Sequence, residues 1–387
     1  MTDSRDLDLI VYGATGFTGR LVCEHLNCTY GVGGDYKWGM AGRSLSKLEK
    51  VRDELSIDEN IPLIVADTND VQTLEKMVSS TKVLLSTVGP YRTYGSELVK
   101  ACAYTGTDYL DLCGEPLWMK EMIEKYDGVA KNSGARIVFS CGFDSIPFEM
   151  GVFFLQNSAK KQLGATLPRV KGRVKSLQGT VSGGTVASFT ATMKSVEENP
   201  ALFSDLANPF ALTEGFTGPE QPLGDKNIYE DDLKNWSGPF RMAPINTKNL
   251  HRSNMLLGHL YGEDFIYDEM LLLGTENPDI IKKDDHDLSF DMSLKPGEGP
   301  SKEAREAGFY VVDFIGSNAN GDTIKATVGG DRDPGYGSTA KIISEAAICL
   351  LEGPSGKGGI LTPAPAMGMA LIERLIKNAG MTFTIDQ

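Results

Sequence analysis

The chain has 387 residues, of which 41% are hydrophobic and 23% charged, and its formal net charge is −14 at pH 7. This length predicts two or three compact domains, and the composition is that of a globular protein rather than a disordered or fibrous one. The acidic balance argues against a nucleic-acid partner, because such a partner requires a basic protein face.

The six cysteines and four histidines show no spacing typical of a disulfide framework or a metal site, so we expect no bound metal. No apolar run approaches the roughly 20 residues that a membrane helix needs. The polar start MTDSRDLD lacks the basic and apolar segments of a signal peptide. These features predict a cytoplasmic protein without a transmembrane helix.

The first 145 or so residues alternate between short apolar runs and segments with helical spacing, a pattern that predicts a parallel, doubly wound sheet of the Rossmann type. Strands are predicted at 7–12, 36–41, 61–66, 83–88, 108–113 and 136–141.

The pattern changes after residue 141, and a second domain with a mixed sheet is predicted there, because two strands flank a turn-rich segment and suggest a hairpin. The expected elements are a strand at 171–181, a helix at 183–205, a loop or lid at 209–244, the hairpin at 309–315 and 323–328, and helices at 336–351 and 367–378.

A glycine-rich segment follows the first strand and opens the first helix, which is the context of a dinucleotide-binding fingerprint. The glycines permit tight turns and a close approach of backbone N–H groups to a pyrophosphate, and the helix N-terminus favours that anion. The predicted nucleotide contacts here are Gly13, Thr15, Gly16, Phe17, Thr18 and Gly19.

The end of the second strand predicts which dinucleotide binds. An NAD site carries a carboxylate at this position, whereas this chain has Arg43 and Ser44, with Lys47 one turn later. An arginine can hold a 2′-phosphate through a bidentate pair of hydrogen bonds, so we expect NADP(H). Ser44 either contacts that phosphate or caps the next helix.

Two further strand ends are expected to face the nucleotide. Asp67, after the third strand, either meets the adenine edge or caps a turn. Val88, Gly89 and Pro90 end the fourth strand and are expected beside the ribose and nicotinamide, because ligands bind at the carboxyl ends of parallel strands.

Several motifs together resemble those of the saccharopine dehydrogenase-like oxidoreductases and, within them, the trans-acting enoyl reductase branch. They are GATGFTGR (13–20), AGRS (41–44), VGPY (88–91), YLDLCGE (109–115), CGFDSIP (141–147), GDRDPGYGSTAK (330–341) and LTPA (361–364). The likeness is thin between about residues 208 and 308.

The resemblance implies an NADP-binding Rossmann domain at 1–147, a mixed-sheet domain for substrate or dimerisation at 148–335, and C-terminal helices at 336–387 that return to the first domain. It also implies a reductase of a lipid-like substrate, with association with a membrane or lipid-droplet surface in some relatives. A homodimer is a further expectation, through pairing of the second domain's hairpin.

Hydride transfer needs a positioned cofactor and a proton donor or polarising group. The candidates at strand-to-helix junctions are Tyr91, Asp144 and Ser145, with Glu115 and Cys141 as further polar residues. Each has a structural alternative: Tyr91 packs on the next helix, Asp144 and Ser145 cap a helix, and Cys141 lies in the core. The Ser182–Thr185 segment either binds an anion or forms a turn.

The expected function is therefore NADP(H)-dependent hydride transfer to an enoyl or carbonyl group of a lipid-like small molecule. Two alternatives stay open: a saccharopine-type amino-acid reductase, whose site requires several arginines or lysines for carboxylates, and a non-catalytic NADP-binding or lipid-associated regulatory protein. No tyrosine has a lysine four residues later, which argues against a short-chain dehydrogenase.

Overall fold

The computed structural model describes residues 5–179, 183–276, 298–353 and 356–386, and only the backbone of residues 183–186. Two seven-stranded sheets organise this part of the chain. The first sheet is parallel throughout. Its strands are β1 (Leu7–Tyr12), β2 (Trp38–Gly42), β3 (Leu63–Val65), β4 (Thr81–Ser86), β5 (Asp108–Asp111), β6 (Arg136–Val138) and β13 (Gly359–Leu361).

The strand order of the first sheet is β13-β6-β5-β4-β1-β2-β3, which contains the Rossmann order with one strand added at the edge. Strand β1 shows why the sheet is covered on both faces. Leu9 and Val11 enter one hydrophobic cluster, whereas Ile10 and Tyr12 enter the other, because successive side chains of a strand point to opposite faces.

Helices cover both faces of this sheet. They are α1 (Phe17–Tyr30), α2 (Leu45–Glu54), α3 (Val71–Ser79), α4 (Tyr91–Tyr94), α5 (Ser96–Thr105) and α6 (Pro116–Ser133). A later helix, α12 (Thr339–Glu352), also packs on this domain, against α1, β1 and β4.

The second sheet is mixed, with the order β14-β12-β11-β7-β10-β9-β8. Only its β7–β10 pair is parallel. Its strands are β7 (Arg169–Gln178), β8 (Ile228–Glu230), β9 (Asn235–Pro239), β10 (Ile266–Gly274), β11 (Phe309–Ser317), β12 (Thr323–Gly330) and β14 (Met381–Ile385). The predicted α/β fold, with a parallel N-terminal sheet and a mixed second sheet, is confirmed.

The remaining helices connect or cover the two sheets. They are α7 (Ile146–Leu163), α8 (Gly183–Glu198), α9 (Leu202–Ala207), α10 (Ala243–Leu256), α11 (Lys302–Ala307), α13 (Pro363–Asn378) and a π-helical turn at Pro334–Ser338. Helix α7 follows the first sheet's β6 in the chain and packs against β11 and β12 of the second sheet and against α13. None of the described helices is long and apolar enough to cross a membrane.

Two of the expected elements are wrong. The helix predicted at 183–205 is two helices, because α8 ends before Pro200 and a proline cannot continue the hydrogen-bond pattern of a helix interior. The loop or lid predicted at 209–244 contains β8 and β9, which pair with each other and extend the second sheet from β10.

The C-terminal segment contributes more than the expected helices. Strand β13 pairs with β6 at the edge of the first sheet, and β14 pairs with β12 at the edge of the second. The end of the chain therefore contributes a strand to each sheet.

Candidate active site

The loop between β1 and α1 is shaped by close backbone contacts. Gly13 has φ +94°, and a Cβ there would lie 2.6 Å from Thr87 Oγ1. A Cβ on Gly19 would lie 2.1 Å from the carbonyl oxygen of Gly13. Both positions therefore require glycine, the first for its dihedral angle and the second for the approach of α1 to the loop.

Gly16 differs from these two. A Cβ there would have a single neighbour within 4 Å, the Gly13 carbonyl oxygen at 3.3 Å. Its φ of −79° is also ordinary. The open space beside Gly16 is part of a cavity of 910 Å³, here called the first cavity, at the carboxyl ends of the parallel strands. A dinucleotide could occupy this space against the bare backbone.

The N-terminus of α1 faces the first cavity and is suited to an anion. Thr15, Gly16, Phe17 and Thr18 line the cavity. The helix has no side-chain cap and no acidic residue in its first turn. Its first N–H groups are therefore available to a pyrophosphate, which the helix dipole also favours.

Arg43 and Lys47 line the same cavity. In the part of the chain that is described, no carboxylate lies within 4.0 Å of either cation. Ser44 does not line the cavity, since its hydroxyl accepts a hydrogen bond from Lys47 N and caps α2. The two cations fit a 2′-phosphate, whereas the structure supports the capping alternative for Ser44.

Asp67 lies outside the cavity lining. Its Oδ1 accepts hydrogen bonds from the backbone N and the side-chain amide of Asn69, at 2.9 and 3.1 Å. This geometry is that of the turn-capping alternative. The neighbouring Thr68 lines the cavity instead, so an adenine contact by the Asp67 side chain has no geometric support.

The end of β4 reaches the cavity as expected, since Val88, Gly89, Pro90 and Tyr91 line it. The Tyr91 hydroxyl is engaged, however: it accepts a hydrogen bond from Leu112 N at 3.1 Å and donates to Ser86 O at 3.5 Å. Burial raises the pKa of Tyr91 well above its usual value. The side chain thus ties the ends of β4 and β5 together and is a poor proton donor.

Among the three predicted catalytic residues, Asp144 is the one whose side-chain group is available to a ligand. It lines the first cavity, and its carboxyl forms no hydrogen bond or ion pair with the described residues. Burial raises its pKa to about 6, because removal from water disfavours the charged carboxylate. A carboxyl group with this pKa can hold a proton near neutral pH.

The other polar candidates are held in structural contacts outside the cavity. Ser145 is 1% exposed, and its hydroxyl donates to Asn246 Oδ1 and accepts from Asn249 Nδ2. Glu115 accepts hydrogen bonds from Tyr91 N and Arg92 N. Cys141 is fully buried. The Ser182–Thr185 segment lies outside the residues whose side chains are described.

The C-terminal segment completes the first cavity with residues that the sequence analysis did not predict as site residues. Gly335, Tyr336 and Thr339 line it. The Tyr336 ring packs edge-on against Phe17, with centroids 5.0 Å apart, and Thr339 Oγ1 accepts a hydrogen bond from Phe143 N at 3.0 Å. These residues belong to the motif at 330–341 that carries the family resemblance. The sequence does not show that this motif packs beside Phe17 and Phe143, because they are far apart along the chain.

A second cavity of 1370 Å³ adjoins the first. It lies beside the second sheet and is lined largely by apolar side chains, including Phe210, Phe240 and Leu271. The residues that line both cavities are Leu206, Ala207, Arg241, Pro244 and Lys248. The first cavity, from here on the nucleotide cleft, therefore lies next to the second cavity, from here on the chamber, which is large enough for a substrate.

Comparison with known proteins identifies the first domain. Residues 9–138 match the family model described as the saccharopine dehydrogenase NADP binding domain. Trans-acting enoyl reductases of Mycobacterium ulcerans and Mycobacterium tuberculosis are 34% identical to this chain, over 96% of this chain and 96% of each relative.

The fold is also similar to a solved structure. Saccharopine dehydrogenase (L-Glu forming) from Saccharomyces cerevisiae, in its apo form, aligns with a TM-score of 0.56 over 98% of this chain and 100% of that one. The sequence identity is 11%, so this likeness concerns the fold alone.

Proposed function

Because the chain belongs to the saccharopine dehydrogenase-like family, in its trans-acting enoyl reductase branch, we propose that this NADP-dependent oxidoreductase reduces an enoyl or carbonyl group of a lipid-like substrate. The observation that carries this proposal is the shared wall of the two cavities. A substrate in the largely apolar chamber would therefore lie next to the nucleotide cleft. NADPH, when bound, supplies the hydride.

In this proposal Asp144 is the proton donor. Its carboxyl lines the cleft without a protein partner, and its raised pKa of about 6 keeps part of the population protonated near neutral pH. Reduction of a double bond by hydride also consumes a proton, so a group of this kind completes the reaction.

The amino-acid alternative has less support, because the second domain's arginines are engaged. Arg173 pairs with Glu230 and Asp268, and Arg169 pairs with Asp268. Arg252 donates to backbone carbonyls of Leu212 and Ile360. A substrate with several carboxylates would therefore find few free cations. A homodimer, a cytoplasmic location and association with a lipid surface stay predictions.

The proposal is tested by NADPH titration followed by stopped-flow NADPH oxidation with a panel of enoyl thioesters, ketones and amino acid–2-oxo acid pairs. We expect oxidation with an enoyl thioester or a ketone. Oxidation with only the amino-acid pairs would support the saccharopine-type alternative. NADPH binding without oxidation by any member of the panel would support a non-catalytic protein.

The role of Asp144 is tested by Asp144→Asn, which removes the ionisable proton. We expect kcat to fall by about 10²–10⁴-fold with little change in the Kd for NADPH. In the wild type, kcat should fall as pH rises above about 6, the pKa of Asp144, because the protonated form is the donor. The exposed Asp35→Asn serves as the matched control. An unchanged pH profile in Asp144→Asn would contradict this role.

A further inference from the structure

Helix α10 buries an unusual set of polar side chains between the two domains. Those that are at most 2% exposed are Asn246, Lys248, Asn249, His251, Arg252, Ser253 and Asn254. Within this set, only Lys248 lines the two cavities. Its ammonium group therefore lies where the nucleotide cleft and the chamber meet.

The hydrogen bonds of Lys248 leave its charge uncompensated. Its Nζ donates to the backbone carbonyls of Leu206 and Pro244, at 2.7 and 3.0 Å. An ammonium group has three donors, so one stays available to a ligand. Among the described residues, no carboxylate oxygen lies within 4.0 Å of Nζ.

Two other buried cations of this protein have close carboxylate partners. Arg173 lies between Glu230 and Asp268, and Arg136 pairs with Asp108. An unpaired buried charge is costly to the fold. The buried ammonium group of Lys248 therefore does not help to stabilise the fold. A bound ligand could be its partner.

The protonation states of Lys248 and its neighbours also fit a ligand that binds the ammonium group. Burial lowers the pKa of Lys248 to about 8, so the group still carries its proton at neutral pH. His251, one turn away, is kept neutral because burial lowers its pKa to about 3. Arg241 and Glu269 also face the chamber, and burial raises the pKa of Glu269 to about 8, so Glu269 supplies no full negative charge.

We propose that Lys248 binds the carbonyl oxygen of the substrate, next to the double bond that is reduced. This inference rests on the proposed function, because the carbonyl must be conjugated to the reacting carbon. The acyl chain then extends into the chamber, and its reacting carbons lie in the cleft with Asp144.

NADPH, when bound, would supply the hydride that forms the C–H bond at the β-carbon. The π electrons of the C=C bond would then shift toward the carbonyl oxygen, where the Lys248 ammonium would stabilise the negative charge. Asp144 then gives its proton to the α-carbon and is reprotonated from water. The products are the saturated acyl compound and NADP⁺. Lys248 acts as the donor of an oxyanion hole and keeps its proton.

Substitutions at Lys248 test this role through kinetics. Lys248→Met keeps most of the side-chain volume and removes the charge, and we expect kcat for crotonyl-pantetheine to fall by about 10²–10³-fold. The Kd for NADPH should stay within about twofold, since Lys248 acts on the carbonyl. Lys248→Arg should recover part of the loss. Lys160→Met, at an exposed position of α7, is the control.

A chemical readout independent of turnover accompanies the kinetics. Lysines of the wild type are trace-labelled with acetic anhydride and mapped by mass spectrometry, with and without butyryl-pantetheine, the saturated analogue. We expect the analogue to slow acetylation of Lys248 by about tenfold and to leave Lys160 unchanged. Pantetheine, which lacks the acyl group and its carbonyl, should protect less.

The outcomes separate the two proposals. Full activity of Lys248→Met, or acetylation of Lys248 that is unaffected by butyryl-pantetheine, overturns the role of Lys248 even if the wild type reduces crotonyl-pantetheine. If the wild type reduces no enoyl or carbonyl compound, the proposed function fails. Selective protection of Lys248 would then still support its binding of an acyl carbonyl.

Discussion

Arg43 lines the first cavity with no described carboxylate within 4.0 Å, so its guanidinium can bind a phosphate without first breaking an ion pair. Charge-assisted hydrogen bonds are worth about 1.5–3 kcal/mol. We therefore predict that Arg43→Ala weakens NADPH binding by about 10- to 150-fold. NADH, which lacks the 2′-phosphate, should bind almost as before, and fluorescence titration with both nucleotides measures the difference.

Lys50→Ala is the matched control for Arg43. Lys50 lies on α2, the helix that follows Arg43, but is paired with Glu54, at 3.7 Å, and does not line the cavity. Its loss should change neither affinity. Equal losses for NADPH and NADH in Arg43→Ala would show that Arg43 does not select the phosphate.

Residues of the nucleotide loop could be predicted because their roles are local. Gly13 is required for its positive φ, and Gly19 is required because a Cβ there would meet the carbonyl oxygen of Gly13, six residues earlier. A short motif records such local constraints. Lys248 could not be predicted, because its position depends on the packing of α10 against the carbonyl of Leu206 and on the place where two domains meet. No local pattern marks that environment.

At the scale of elements, the parallel pair β7–β10 is joined by a buried ionic network. Arg173, 1% exposed, places Nε 2.6 Å from Glu230 and Nη2 2.8 Å from Asp268. We predict that Arg173→Met destabilises the protein by about 3–5 kcal/mol, because two buried carboxylates each lose one of their cationic partners. Chemical denaturation followed by circular dichroism measures the change.

A surface ion pair provides the comparison for Arg173. Lys234 lies 3.9 Å from Asp231 and is largely exposed, so Lys234→Met should cost at most about 1 kcal/mol. Similar losses for the two variants would mean that the buried network contributes no more than an exposed pair.

The strands that the sequence analysis missed are those whose existence depends on pairing with other strands. Strands β8 and β9 are short and lie in a segment rich in glycine, proline and charge, which predicts a loop. They form because β9 pairs with β10 and β8 pairs with β9, where Tyr229 packs against Trp236 with ring centroids 5.5 Å apart. Such partners become visible only in three dimensions.

At the scale of the whole molecule, buried polar groups connect α7, α10, the start of α13 and β10. Glu149 on α7 accepts hydrogen bonds from Ser253 on α10 and from Ala364 N at the start of α13. Glu269 on β10 accepts a hydrogen bond from Asn246 on α10. The helices between the sheets are thus oriented by carboxyl groups that favour the protonated state, because burial raises the pKa of Glu149 to about 7 and that of Glu269 to about 8.

These raised pKa values couple the stability of the fold to pH. The unfolded chain releases the Glu269 proton near its ordinary pKa of 4.5, whereas the folded protein keeps it up to about pH 8. Between these values the folded state binds more protons, so the free energy of unfolding falls as pH rises, by up to about 1.4 kcal/mol per pH unit. His251 acts in the opposite direction below pH 6.5, since burial lowers its pKa to about 3.

We predict that Glu269→Gln, which cannot ionise, removes the contribution of this one carboxyl. The free energy of unfolding of the wild type, measured by urea denaturation from pH 5 to 8, should fall relative to that of Glu269→Gln as pH rises. If the hydrogen bond to Asn246 changes in the variant, the free energy of unfolding of the variant shifts by the same amount at every pH. The slope of that free energy against pH is then unaffected. Because His251 is common to both proteins, its effect cancels in the comparison, and parallel pH curves would show that Glu269 is ionised in the folded protein.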